Sequence, residues 1–254
     1  MARRRKQRSA VVADEFGMEA RQDSSWTLPL TILGVTLLLS GGFLYYYFGP
    51  SLRELRGDTP DPSASTAPIS MLIGETELVV PTNFTRFPRS RRDGRRQTVA
   101  LYALLPGLTP FTTEDAEKFD SNQPDSAVLY FDISTHSSAL SEEERLERVY
   151  KLNVTDPLGR EGPFGLTAYD FKENTGYESE DLFVFNEDGR PPIVIRCFKE
   201  TEIIPSPHCR RDMQIGDQLS LSYRYKRPWL AQWRSIDLSL QKLVQSFIVE
   251  PDEP

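Results

Sequence analysis

Residues 181–198, DLFVFNEDGRPPIVIRCF, place two runs of aromatic and β-branched residues on either side of Asp188-Gly189. Asp-Gly between such runs is a strong local signal for a β-hairpin, since both residues accept the positive φ angles that join two twisted strands. The same grammar recurs on both sides. ISMLI and TELVVP flank Gly74-Glu75, and TVALYALLP, SAVLYFDIS and GLTAYDF are further strand-like runs. In LSLSYRYK, residues 219–226, strict alternation puts Leu219, Leu221, Tyr223 and Tyr225 on one face.

Two segments have helical spacing instead. Ser141-Glu142-Glu143-Glu144 is a capping-box sequence that opens a helix of about ten residues, with Leu146, Val149 and Tyr150 on one side. The second begins near Pro228, and Leu230, Trp233, Ile236, Leu240, Leu243 or Val244, and Phe247 recur at three- and four-residue steps. A shorter helix fits Thr113 to Phe119. Strands joined by short turns, with helices not alternating between them, indicate an α+β fold over residues 69–250. That fold is a mainly antiparallel sheet with two or three packed helices.

Ahead of this domain, residues 26–50 (WTLPLTILGVTLLLSGGFLYYYFGP) carry no charge. About 20 apolar residues cross the ~30 Å hydrocarbon layer of a membrane, so residues 26–48 are read as a transmembrane helix. Trp26 and Tyr45, Tyr46 and Tyr47 suit the two headgroup levels. A cleaved signal peptide is the closer rival, but its core is shorter and small residues follow it. Here Tyr-Tyr-Tyr-Phe-Gly-Pro follows, which favours an uncleaved signal anchor. Arg3, Arg4, Arg5, Lys6 and Arg8 precede the span, which places residues 1–25 in the cytoplasm and the domain outside, in the periplasm of a bacterium. Residues 49–68 have the Pro, Ser and Thr composition of a linker. Gly34 and Gly41, one heptad apart with Thr36 and Ser40, would let a second helix approach; an ordinary lipid-facing surface accounts for them equally, so a homodimer is left open.

The 254-residue chain has a formal charge of −7, which argues against nucleic acid as a partner. Its two cysteines, Cys197 and Cys209, lie in the outer domain, where a structural disulfide is the expected state. His136 and His208 are the only histidines, and neither sits in a ligand or triad pattern, so no metal or cofactor is expected. Glu173, Glu178, Glu180 and Asp181 form the densest carboxylate cluster, the material for a membrane-tethered cell-wall hydrolase using paired carboxylates. Asn83-Phe84-Thr85 and Asn153-Val154-Thr155 match the N-glycosylation pattern.

The most unusual feature of this acidic chain is RFPRSRRDGRRQ, residues 86–97, which holds Arg86, Arg89, Arg91, Arg92, Arg95 and Arg96 around an expected turn at Asp93-Gly94. Guanidinium forks bind carboxylates and phosphates bidentately. The block therefore suits docking on the domain's own acidic surface, on an acidic envelope protein, or on an anionic lipid or wall polymer, with a solvated loop as the plain alternative. The sequence points first to an interaction or assembly module of the bacterial inner membrane that docks through this loop, and second to the hydrolase.

Overall fold

The computed structural model describes residues 26–135 and 140–249; the basic tail and His136 lie outside the described residues. The chain divides into two units at Leu52. The first contains helix α1 (Thr27–Phe48), about 33 Å long at 1.5 Å per residue. None of its residues is buried. Among the described residues it is the one helix long and apolar enough to cross a membrane.

The second unit is α+β. After a one-turn helix α2 (Leu52–Leu55) come the strands β1 (Pro68–Ile73) and β2 (Thr76–Pro81), turned at Gly74 with its φ of +64°. β3 (Gly94–Arg96) and β4 (Thr98–Leu104) follow, then a one-turn helix α3 (Ala116–Asp120) and β5 (Val128–Thr135). Helix α4 (Glu142–Arg145) precedes β6 (Arg160–Glu161), β7 (Thr167–Asp170), β8 (Glu180–Phe185) and β9 (Ile193–Phe198). β10 (His208–Ile215), β11 (Leu219–Lys226) and the C-terminal helix α5 (Trp233–Phe247) complete the domain. The large sheet runs β4-β5-β11-β10-β9-β8-β7-β6, antiparallel throughout, and a small sheet runs β2-β1-β3.

The hairpin read from residues 181–198 is present, with Phe185 opposite Ile193. Its loop is the seven residues 186–192 rather than a two-residue turn. Pro191 and Pro192 have no N–H to donate to the ladder, so pairing begins only at Ile193. Ser141 caps α4 as its sequence indicates: its Oγ accepts from Glu144 N, and the Glu144 side chain accepts from Ser141 N, both at 3.1 Å. The helix then widens into a π turn over Leu146–Tyr150 and ends as a 3-10 turn at Lys151–Asn153. Pro228 opens a 3-10 segment (Arg227–Gln232) ahead of α5.

One face of the large sheet is the core. Leu129, Phe131, Ile133, Leu221, Tyr223 and Ile195 pack there with the small sheet and with Trp233, Ile236, Leu240, Val244 and Phe247 of α5. Each such apolar side chain contributes about 1.5–3 kcal/mol by leaving water. Among the described residues the other face is covered only at its two ends. Leu146, Tyr150 and Val154 pack on Leu182, Val184 and Val194, while Phe111 and Phe119 pack on Tyr102, Leu104 and Val128. Between these two clusters the second faces of β11 and β10 present Ser222, Arg224, Lys226, His208, Arg210 and Asp212. A polar groove therefore crosses the middle of the sheet.

Cys197 and Cys209 are directly opposed on β9 and β10 and form a disulfide, fully buried in the core. Asn83 and Thr85 of the first sequon are buried, so the folded domain does not offer that site.

Candidate functional site

The arginine block is not the turn between strands that Asp93-Gly94 suggests. Residues 94–96 form β3, which joins β1 in parallel with Met71 opposite Gly94 and Ile73 opposite Arg96. Gly94 adopts a φ of +135°, open only to glycine at low strain, and Asp93 Oδ1 accepts from Ser70 N at 2.9 Å. A side-chain acceptor and a glycine thus turn the chain into a short edge strand, which charge density alone hides.

The six arginines have different surroundings. Arg89 pairs with Asp58 at 2.7 Å, and Arg91 with Asp61 at 3.4 Å. Arg91 Nε also donates to Thr85 Oγ1 at 3.1 Å. Asp58 and Asp61 belong to the segment read as a linker, which is laid along the block, with Asp61 N donating to Arg86 O at 3.2 Å. Arg96 folds back and donates to the carbonyls of Arg89 and Arg92, and burial pushes its guanidinium below its ordinary pKa. Arg86 leans over the rings of Phe87 and Tyr130, 5.2 and 4.8 Å from their centroids. Arg92 and Arg95 are exposed and make no ion pair or side-chain hydrogen bond among the described residues. Three arginines hold the segment in place and two project from it.

Arg86 links the block to the polar groove, a site the sequence reading missed. Tyr130 on β5 stands beside Arg224 on β11, which stands beside Arg210 on β10 and then Arg196 on β9. The Arg224 guanidinium lies 5.1 Å from the Tyr130 centroid, so that ring contacts two cations. Arg210 is tied to Asp212 at 3.0 and 2.8 Å, and Arg196 to Glu180 at 2.8 Å. Lys226 Nζ donates to Asn122 Oδ1 at 2.8 Å and to Ser206 Oγ at 2.6 Å. Burial, then Arg224, Lys226 and Arg210, hold the His208 imidazole below its usual pKa, and its ring packs on Phe198 at 5.0 Å. At the groove end, burial lifts the Tyr102 hydroxyl to about 12. Strict alternation along β11 marks Arg224 as outward-facing, but strand order is needed to bring it beside Arg86.

The carboxylate cluster is dispersed. Glu180 is held by Arg196, while Asp181 is held by Arg227 at 2.5 Å and lies 4.0 Å from Lys199. Glu173 and Glu178 are exposed. A second set of charges is buried between α4, β10 and α5. Arg211 Nε and Nη2 donate to the two oxygens of Glu142 at 3.0 and 2.9 Å, and Nη1 donates to Asp237. Asp237 also accepts from Tyr223 Oη and Gln241 Nε2, each at 2.8 Å. Among the described residues no group of three or more His, Cys, Asp or Glu side chains is placed to hold a metal ion.

No protein-family model matches the chain, and no curated protein matches it. Among solved structures, the chain is similar to Smlt3025, an immunity protein of the Stenotrophomonas maltophilia type IV secretion system. The TM-score is 0.52 at 16% identity, over 73% of this chain and 95% of that one. The iron-regulated outer membrane lipoprotein FrpD of Neisseria meningitidis aligns at a TM-score of 0.49 and 15% identity, over 74% of this chain and 96% of that one. The likeness to Smlt3025 shows a shared fold.

Proposed function

We propose that this chain is a single-pass protein of the bacterial inner membrane. In this reading α1 is an uncleaved anchor over residues 26–48, residues 1–25 are cytoplasmic, and residues 69–250 form a periplasmic interaction module. The module docks an acidic envelope protein through the arginine block, and the small-residue face of Gly34 and Gly41 serves a homodimer. One observation carries the docking reading: Arg92 and Arg95 project unpaired from a segment that Arg89, Arg91 and Arg96 hold in place. A segment already held in place loses little backbone freedom when its projecting guanidinium forks meet a carboxylate, which favours a specific partner over diffuse attraction. The fold shared with an immunity protein of a secretion system adds support for a protein as the partner.

Orientation and docking are tested separately. Alkaline phosphatase fused after residue 249 is expected to be active in cells, and fused before Trp26 inactive; the opposite result refutes the orientation. Tagged full-length chain purified from detergent-solubilised membranes is expected to bring down a discrete acidic protein, which R92E/R95E no longer retains. Equal recovery with both chains refutes docking through this block.

A further inference from the structure

We infer that the groove across the uncovered sheet face is a binding site for a small oxyanion-bearing ligand, a phosphate or carboxylate compound, held between Arg86 and Arg224 at Tyr130. Around that ring is a cavity of about 310 Å³ lined by Arg86, Arg224, His208, Lys226 and Asp120. It adjoins a second cavity of about 200 Å³ that shares Tyr130, His208 and Arg224 and adds Asp132. The first alone is at the lower end of the size range of small-molecule sites.

The state of each cation decides the assignment. Arg210 and Arg196 already bond carboxylates, and Lys226 donates to Asn122 and Ser206. Arg86 and Arg224 make no ion pair among the described residues. Each instead lies against Tyr130, which orients a planar guanidinium while leaving its N–H donors unused. Two oriented forks facing one cavity, with Lys226 a third cation and Asp120 and Asp132 the carboxylates opposing them, match an oxyanion that both forks can grip. His208 responds to the same ligand: burial, then Arg224 and Lys226 on β11 and Arg210 on β10, disfavour its cation, and a bound anion offsets the three charges. The ratio of wild-type binding to that of His208→Gln, in which the ligand's own protonation cancels, should therefore rise as the pH falls through the His208 titration.

The test is calorimetric titration of the full chain in detergent micelles with pyrophosphate and, separately, with citrate, at physiological salt. Saturable binding of one equivalent is expected, weakened about tenfold or more in R224Q and in R86Q, and unchanged in R92Q/R95Q. R224K keeps the charge but not the fork and should fall between. Stronger binding of pyrophosphate assigns phosphate chemistry, and stronger binding of citrate assigns carboxylates. Thermal melts check that each variant folds, and R86Q stands in if R224Q does not. Absence of saturable binding by either probe overturns the inference, as does equal weakening in R92Q/R95Q. Either result leaves the docking reading standing, because that reading rests on Arg92 and Arg95, which do not line the groove.

Discussion

Arg211 and Glu142, 69 positions apart in sequence, meet as a bidentate pair at 3.0 and 2.9 Å inside the domain. Burial alone disfavours the Arg211 cation, yet its hydrogen bonds to Glu142 and the surrounding negative charge hold its pKa above the ordinary value. Glu142 also accepts from Val194 N at 2.8 Å, so one carboxylate fastens α4 to both β9 and β10. Replacing Glu142 with Ala leaves the buried Arg211 guanidinium with Asp237 as its remaining carboxylate and is expected to destabilise the domain by about 1.5–3 kcal/mol. Urea denaturation followed by tryptophan fluorescence measures it; a loss below about 1 kcal/mol would contradict the pairing.

Tyr223 and Tyr225 sit on the same face of β11, but their hydroxyls differ. Tyr223 donates to Asp237 at 2.8 Å, whereas the Tyr225 hydroxyl is buried with no partner among the described residues. Tyr223→Phe should cost about 1–2 kcal/mol, because Asp237 loses a donor in a buried site. Tyr225→Phe should be neutral or stabilising. Paired denaturation curves decide, and a larger loss for Tyr225→Phe would refute the assignment.

The Cys197–Cys209 bridge closes a separation of 12 residues within a buried strand pair. Replacing both residues with Ala is expected to lower stability by about 3 kcal/mol in the chain-entropy model. The melting temperature of the variant should match that of reduced wild-type protein. An unaltered melting temperature would show that the pair contributes nothing.

His208 gives the stability a pH dependence of definite sign. Its folded pKa lies below its ordinary value of 6.5, so the unfolded chain binds the proton first as the pH falls. Its contribution is intact above 6.5 and is lost as the pH drops from there to the folded value. His208→Gln should flatten stability across that window; an unchanged profile would show that another group sets it.

The elements legible in the sequence were those whose signal is local. Alternation in residues 219–226, the Ser141 capping box and the stripe from Leu230 to Phe247 each depend on neighbours within a few positions, and all three appear in the structure. β3 was not legible, because three residues of Gly-Arg-Arg become a strand only through pairing with Met71–Ile73. The groove was not legible either. Arg86, Tyr130, His208 and Arg224 come together through strand order and register, which no single stretch of sequence contains. The arginine block shows the same limit, since its partners Asp58 and Asp61 lie in a segment whose composition reads as a free linker.

Photo-crosslinking in living cells from an unnatural residue at exposed Gln97, the last residue of the arginine block, tests the docking reading most directly. The account predicts a discrete adduct to one acidic protein, abolished when Arg92 and Arg95 are changed to Glu. Adducts only to lipid or wall polymer, or a protein adduct that survives the charge reversal, would contradict it.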